Sequence, residues 1–176
     1  GNDELELTAR MATILEVVQP LSLEVIPLTD ADEARKARLI RDNILIGLME
    51  FTQYEMLDEV VPINKFAELI HYTKGLQEKH ELSVLNFGHS GDGNVHTILM
   101  RGDLTDEEWT IRRKALLDDL YRKVKELGGL PSAEHGIGTV KKPYLEKMTD
   151  EVNIKYMREI KKIFDPEKRL NPGKLF

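Results

Sequence analysis

Apolar positions recur at helical spacing in six stretches of the chain, and shorter apolar runs lie between them. Side chains three and four residues apart share one face of an α-helix, so this spacing predicts helices. Capping residues indicate where two of them begin: Asp30 opens the second helix, and Thr105 with Glu108 forms a capping box at the start of the longest. The predicted helices cover residues 3–19, 31–49, 63–80, 105–127, 139–147 and 150–164.

Four shorter stretches have the alternating or continuous apolar pattern that is typical of strands. They cover residues 21–28, 53–61, 82–88 and 94–101. The last two flank the sequence G-D-G-N at 91–94, which predicts a tight turn because Gly, Asn and Asp tolerate positive φ. Antiparallel strands with helices on one face predict an α+β fold, here followed by a C-terminal helical tail.

Composition and charge exclude several classes of function. The 176 residues suit a single domain, and 41% of them are hydrophobic, as in an ordinary globular protein. The net charge of −6, without a basic run, argues against a nucleic-acid surface. The chain has no cysteine, which excludes disulfides and thiolate chemistry and fits a cytoplasmic location. We expect no transmembrane segment, because no apolar run approaches the ~20 residues that cross a bilayer.

Two histidines, His89 and His96, stand at the strand ends on either side of the predicted turn. A hairpin could bring their imidazoles together as metal ligands, although hydrogen-bonded or solvated histidines at strand ends are the alternative. The stretch S-A-E-H-G-I-G at 132–138 adds Glu134 as a third candidate ligand and His135 as a candidate base; a surface carboxylate and a solvated histidine are the alternatives there. Mixed nitrogen and oxygen ligands suit Zn²⁺ or Mn²⁺.

Three motifs occur in one order along the chain: G-H-S-G-D-G-N-V-H at 88–96, S-A-E-H-G-I-G at 132–138, and D-P-E-K-R-L-N-P-G-K at 165–174. Together they resemble the C-terminal domain of the FAD-linked oxidases related to vanillyl-alcohol oxidase. The nearest branch is that of glycolate oxidase and the D-lactate and D-2-hydroxyglutarate dehydrogenases. The resemblance implies a ferredoxin-like sheet covered by helices. It also implies that residues 1–176 are one cap domain, with the FAD-binding domain upstream or on a separate chain.

The resemblance implies a role for each residue of the site. His89, His96 and Glu134 would hold a divalent metal, and His135 would be the catalytic base in the oxidation of a 2-hydroxy acid by FAD. Asn171, in the third motif, would lie near the flavin. Without the FAD-binding domain, we expect the chain to be inactive.

Arg41 would bind the substrate carboxylate, since it lies 17 residues before Asp58 of the D-E-V-V-P stretch, as a substrate-binding arginine does in the resembled enzymes. A solvated arginine is the alternative, because Arg35 and Arg38 lie on the same predicted helix. Leu45 and Met56 stand where other branches have polar substrate contacts. Their apolar character favours glycolate or D-lactate over 2-hydroxyglutarate.

Two other functions fit the residues. A stand-alone metal-dependent hydrolase would use the same histidines and glutamate to activate water. A non-catalytic ferredoxin-like interaction domain would use the sheet alone. Lys141 and Lys142, which follow the second motif, are predicted to be surface charges or contacts between domains.

Overall fold

The computed structural model describes residues 3–176 and has the predicted α+β, ferredoxin-like class, with helices that cover an antiparallel sheet. The helices are α1 (Glu4–Val18), α2 (Ala31–Phe51), α3 (Phe66–His80), α4 (Asp106–Glu126), α5 (Lys142–Met148) and α6 (Glu151–Phe164). Short 3₁₀ helices cover Gln19–Leu21 and Ile63–Lys65. The strands are β1 (Tyr54–Met56), β2 (Glu59–Val60), β3 (Ser83–His89) and β4 (Asn94–Met100).

The chain forms two compact units that meet in sequence between Leu48 and Met49. In the first unit, the Asp3 carboxylate caps α1 by accepting a hydrogen bond from the backbone N–H of Leu5. The strand predicted at 21–28 is not present: Leu21 ends the 3₁₀ helix, and residues 22–28 are irregular. The physical reason is that a strand needs a partner, and residues 3–48 contain no second strand. Whether residues 1–176 act as one cap domain stays a prediction.

The second unit is built around β4, which pairs with β3 along one edge and with β1 and β2 along the other, all antiparallel. Tyr54 pairs with Met100, and Glu59 pairs with Val95. Five residues separate the two pairs along β1 and β2, and five separate them along β4. The register is therefore unbroken between β1 and β2, which together are the strand predicted at 53–61. In that register Asp58 lies opposite His96.

Helices α3 and α4 cover one face of the sheet. Neighbouring side chains of a strand point to opposite faces. Leu57 and Val95 belong to the hydrophobic core with α3 and α4, so Asp58 and His96 point to the other face. The capping box of Thr105 and Glu108 is confirmed at the start of α4.

The tail after α6 folds back on the segment before α5 and on the first residue of α5. The backbone N–H of Leu175 donates to the carbonyl of Gly138, and the Lys142 ammonium donates to the carbonyl of Gly173. Across residues 3–176, every helix is too short or too polar to cross a membrane.

Candidate metal and substrate site

The β3–β4 hairpin places the two predicted histidines on one face. His89 pairs with Asn94, and His96 lies two residues further along β4, so both side chains point the same way. Their ring centroids are 5.5 Å apart. Gly93 closes the turn with φ of +79°, and a Cβ there would meet the carbonyl oxygen of Val61 at 2.0 Å. Only glycine satisfies both conditions at this position.

A second segment, residues 130–135, runs beside β2 and brings Glu134 and His135 to the same face. Leu130 forms an antiparallel bridge with Val60, and Ser132 forms a parallel bridge with Asp58. The chain can approach β2 this closely because residue 129 is glycine: a Cβ there would meet the carbonyl oxygen of Val60 at 2.3 Å.

Asp58 attaches this segment to the sheet through one carboxylate oxygen. Its Oδ2 accepts hydrogen bonds from the Ser132 hydroxyl at 2.7 Å and from the backbone N–H groups of Ala133, Glu134 and His135 at 2.9–3.0 Å. Burial alone would raise the pKa of Asp58, but these donors and the Lys141 ammonium lower that pKa to about 2. The carboxylate is therefore ionised at neutral pH although it is fully buried.

Three imidazole nitrogens converge on one oxygen of Glu134. The Oε1 atom lies 3.5 Å from Nε2 of His96, 3.6 Å from Nε2 of His89 and 3.9 Å from Nε2 of His135. The side-chain amide of Asn94 donates to the same oxygen at 3.3 Å. Glu134 is thus the centre of the cluster.

The rings of His96 and His135 are stacked, and their two edges face different carboxylates. The Nε2 edges face Glu134, whereas the Nδ1 atoms lie 3.5 Å and 3.9 Å from Oδ1 of Asp58. Burial, and then the nearby His135, lower the pKa of His96. His96 is therefore neutral at neutral pH, which is the form that binds a metal.

The donor set fits a divalent metal. Ligands at 2.0–2.2 Å from one tetrahedral Zn²⁺ lie roughly 3.4 Å apart, close to the separations between Glu134 and the imidazoles of His89 and His96. Asp58, His96, Glu134 and His135 also have donor atoms within 4.8 Å of one another. We do not count Asp58 among the candidate ligands, because its Oδ2 already accepts four hydrogen bonds and its Oδ1 faces the Nδ1 atoms of the two imidazoles.

The site is open on one side. About half of the side-chain surface of His89 and of Glu134 is exposed, whereas His96 is buried. The imidazole of His89 and the carboxylate of Glu134 are therefore accessible from solvent.

Two predicted residues lie elsewhere in the chain. Arg41 belongs to α2 in the first unit, where it is exposed and pairs with Asp42 at 3.4 Å. Asn171 lies in the tail in a left-handed conformation, with φ of +46°, and its carbonyl accepts a hydrogen bond from the backbone N–H of Lys174. The roles predicted for both residues stay predictions.

Two further residues of the site, Asp58 and Lys141, are not predicted by the sequence patterns. The sequence does carry a signal for Asp58, because a carboxylate between Leu57 and Val60 in a buried strand is unusual unless it has a special role. Lys141 was predicted to be a surface or interdomain charge, and this is wrong. It is buried, its ammonium donates to the Ser132 hydroxyl at 3.1 Å, and it lies 3.6 Å from Asp58. The reason is the buried charge of Asp58, which it balances.

The chain is similar in sequence to a known protein family and to several relatives. The family of FAD linked oxidases, C-terminal domain, matches residues 1–175. The chain is 36% identical to a D-lactate dehydrogenase of Anaerostipes hadrus, with 99% of this chain and 37% of that protein covered. It is 35% identical to the glycolate oxidase subunit GlcD of Bacillus subtilis, with 82% of this chain and 29% of that protein covered.

A third relative is a D-2-hydroxyglutarate dehydrogenase of Xanthomonas citri pv. viticola, which is 35% identical over 100% of this chain and 38% of that protein. The chain therefore spans well under half the length of each of these relatives.

Proposed function

The chain belongs to the family of C-terminal domains of FAD linked oxidases, and from this we propose that it is the substrate-binding part of an FAD-dependent oxidoreductase that acts on a 2-hydroxy acid. The product would be the corresponding 2-oxo acid. Its partner would be an FAD-binding domain, on the same chain or on a separate subunit. The open side of the cluster around Glu134 supports this proposal, because a second surface could complete it.

We assign His89, His96 and Glu134 as the ligands of a divalent ion, Zn²⁺ or Mn²⁺. The single observation that carries the proposal is the convergence of imidazole Nε2 atoms on Glu134 Oε1. A divalent ion held there would act as a Lewis acid and make a substrate hydroxyl more acidic.

We assign His135 as the base that removes the hydroxyl proton. Its Nε2 lies 3.9 Å from Glu134 Oε1, so the imidazole borders the proposed ion while about a third of it stays exposed. Adjacent side chains of one loop usually diverge, which supports a division of labour between Glu134 and His135. An imidazole also has an ordinary pKa close to neutrality, as a general base requires.

FAD would supply the acceptor for the hydride that leaves the substrate carbon. Asn171 is the residue that we assign to the flavin side. The tail that carries it returns to the loop of His135, since the backbone N–H of Leu175 donates to the carbonyl of Gly138, three residues after His135.

Arg41 is the residue that we assign to the substrate carboxylate. A guanidinium binds a carboxylate through two parallel hydrogen bonds. The Arg41 side chain is exposed, and its ion pair with Asp42 is long and solvated, so exchange of that partner for a substrate would cost little.

Glycolate or D-lactate is the substrate that we propose. The apolar side chains of Leu45 and Met56 offer no charge for a second carboxylate. Two of the relatives are named for D-lactate and for glycolate, and a third is named for D-2-hydroxyglutarate.

Anaerobic flavin reduction tests this function. The intact enzyme, with this chain and its FAD-binding part, would be mixed with glycolate, D-lactate, L-lactate or D-2-hydroxyglutarate while flavin absorbance is followed. We expect glycolate or D-lactate to bleach the flavin fastest. A flavin that none of these acids reduces, together with metal-dependent hydrolysis of an ester or amide, would instead indicate the hydrolase alternative.

A further inference from the structure

Asp58 occupies an unusual position for an acidic side chain. It lies between β1 and β2, opposite His96 in their shared register with β4, and is fully buried. A buried carboxylate is costly unless hydrogen bonds and a counter-charge compensate it. Its two oxygens have different surroundings, and the difference indicates what the residue does.

One oxygen, Oδ2, is fully used by the segment that carries the catalytic loop. It accepts four hydrogen bonds from residues 132–135 and lies 3.6 Å from the Lys141 ammonium. This oxygen meets only donors, so any side chain at position 58 must present an acceptor there.

The other oxygen, Oδ1, faces the two stacked imidazoles. It lies 3.5 Å from Nδ1 of His96 and 3.9 Å from Nδ1 of His135. Oδ1 of Asp58 and Nδ1 of His96 are both buried, and neither has a hydrogen-bond partner in residues 3–176. Buried polar atoms without a hydrogen-bond partner are rare and costly. A small approach of these two atoms would form a hydrogen bond that pairs both of them.

We propose that Asp58 is a positioning residue that keeps the ring proton of His96, and that of His135, on Nδ1. Each Nε2 then carries a lone pair on the Glu134 side, where His96 would bind the ion and His135 would accept a proton. A carboxylate oxygen has two lone pairs, so one Oδ1 can serve both rings. The use of the two lone pairs rests on the proposed function. The position of the ring protons does not depend on it.

The variant Asp58→Asn gives a sharp test, because its amide can fit in only one way. The amide oxygen must take the place of Oδ2, where the four donors point. The NH₂ group then faces Nδ1 of His96 and forces it to accept. The ring proton moves to Nε2, and the lone pair on the Glu134 side is lost.

The experiment uses the full chain labelled with ¹⁵N-histidine. Two-bond ¹H–¹⁵N correlation spectra at about pH 8, above the ordinary imidazole pKa of ~6.5, distinguish the two tautomers. We expect the Nδ1–H form of His96 in the wild type and the Nε2–H form in Asp58→Asn. Calorimetric titration with Zn²⁺ should show affinity reduced about 10- to 100-fold in the variant, the usual effect of losing such a partner.

Asp165→Asn is the matched control. Asp165 is also buried, accepts hydrogen bonds from the backbone N–H groups of Arg169 and Leu170, and pairs with Lys161. It binds a loop as Asp58 does, but these partners include no imidazole. This variant should keep the wild-type tautomers and Zn²⁺ affinity.

An Nε2–H tautomer of His96 in the wild type would overturn the proposal, and this result does not depend on whether Asp58→Asn folds. Unchanged tautomers and Zn²⁺ affinity in a folded Asp58→Asn would also overturn it. A wild type that binds no Zn²⁺ but shows the Nδ1–H form would contradict the proposed metal site and still support the role of Asp58.

Discussion

The imidazole rings of His96 and His135 lie parallel, 4.7 Å apart at their centroids and tilted by 4°. They come from segments 39 residues apart in the chain, the β3–β4 hairpin and the loop that follows α4. The strand that carries Asp58 joins the two segments: it pairs with β4 on one edge and bridges to Ser132 on the other. The pair of rings is therefore fixed by the sheet and not by the loop alone.

Replacing His135 should separate catalysis from metal binding. In the intact enzyme, we expect His135→Asn to lower kcat by about 10²–10⁴-fold, the usual contribution of a positioned acid–base group. Metal content should stay near that of the wild type, since His135 is not a proposed ligand. Steady-state kinetics and elemental analysis of the same samples would check both. A variant that loses its metal, or one that keeps full turnover, would contradict this division of labour.

The turn between the two histidines should tolerate no side chain at Gly93. We expect Gly93→Ala to destabilise the chain by roughly 2 kcal/mol or more, because of its positive φ and the clash with the Val61 carbonyl. Gly91→Ala is the matched control in the same turn, since a Cβ there meets nothing within 4 Å. Urea denaturation of both variants would measure the difference. Equal stabilities would show that the turn adapts more readily than its geometry indicates.

Glu59 should make the fold less stable as the pH rises. Its carboxyl is fully buried on the helix side of the sheet, and burial raises its pKa from 4.5 to about 8. The folded chain keeps a proton on Glu59 that the unfolded chain releases above pH 4.5. The contribution of this proton to the free energy of unfolding is therefore complete below pH 4.5 and is lost as the pH rises toward 8.

The variant Glu59→Gln cannot release this proton. Between about pH 5 and pH 7, the free energy of unfolding of the wild type should fall by roughly 3 kcal/mol relative to that of the variant. Denaturant unfolding of both proteins across this range gives the comparison. Parallel pH profiles would mean that Glu59 is ionised in the folded chain.

We expect the purified chain alone to bind no FAD tightly. Its sequence has no glycine-rich loop before a helix that could hold a pyrophosphate. Flavin absorption of the purified protein, before and after incubation with FAD and gel filtration, measures this. A stoichiometric yellow chromophore would contradict the expectation that another domain holds the flavin.

The sequence predicts those parts of the site that depend on local patterns. The G-D-G-N turn and the flanking apolar runs predict the β3–β4 hairpin, and the alternation of the strands places His89 and His96 on one face. The capping box likewise predicts where α4 begins. These features depend on residues close in sequence, so periodicity and turn chemistry are sufficient.

The supporting residues depend on contacts distant in sequence. Asp58 meets the backbone of His135 across 77 positions, and Lys141 becomes buried only because that carboxylate needs a counter-charge. The strand predicted at 21–28 failed for a related reason. Its pattern was suitable, but pairing requires a neighbouring edge that a local pattern cannot supply.

The proposed metal centre is tested most directly by the metal content of the purified chain. Elemental analysis of protein prepared without chelator, followed by titration with Zn²⁺, should give one ion per chain at saturation. His89→Ala, His96→Ala and Glu134→Gln should each lose most of this binding, because each removes one of the converging donors. His71→Ala, on the exposed side of α3, should bind as the wild type does. A chain that binds no divalent ion, or a His96→Ala variant that binds as tightly as the wild type, would contradict the proposed metal centre.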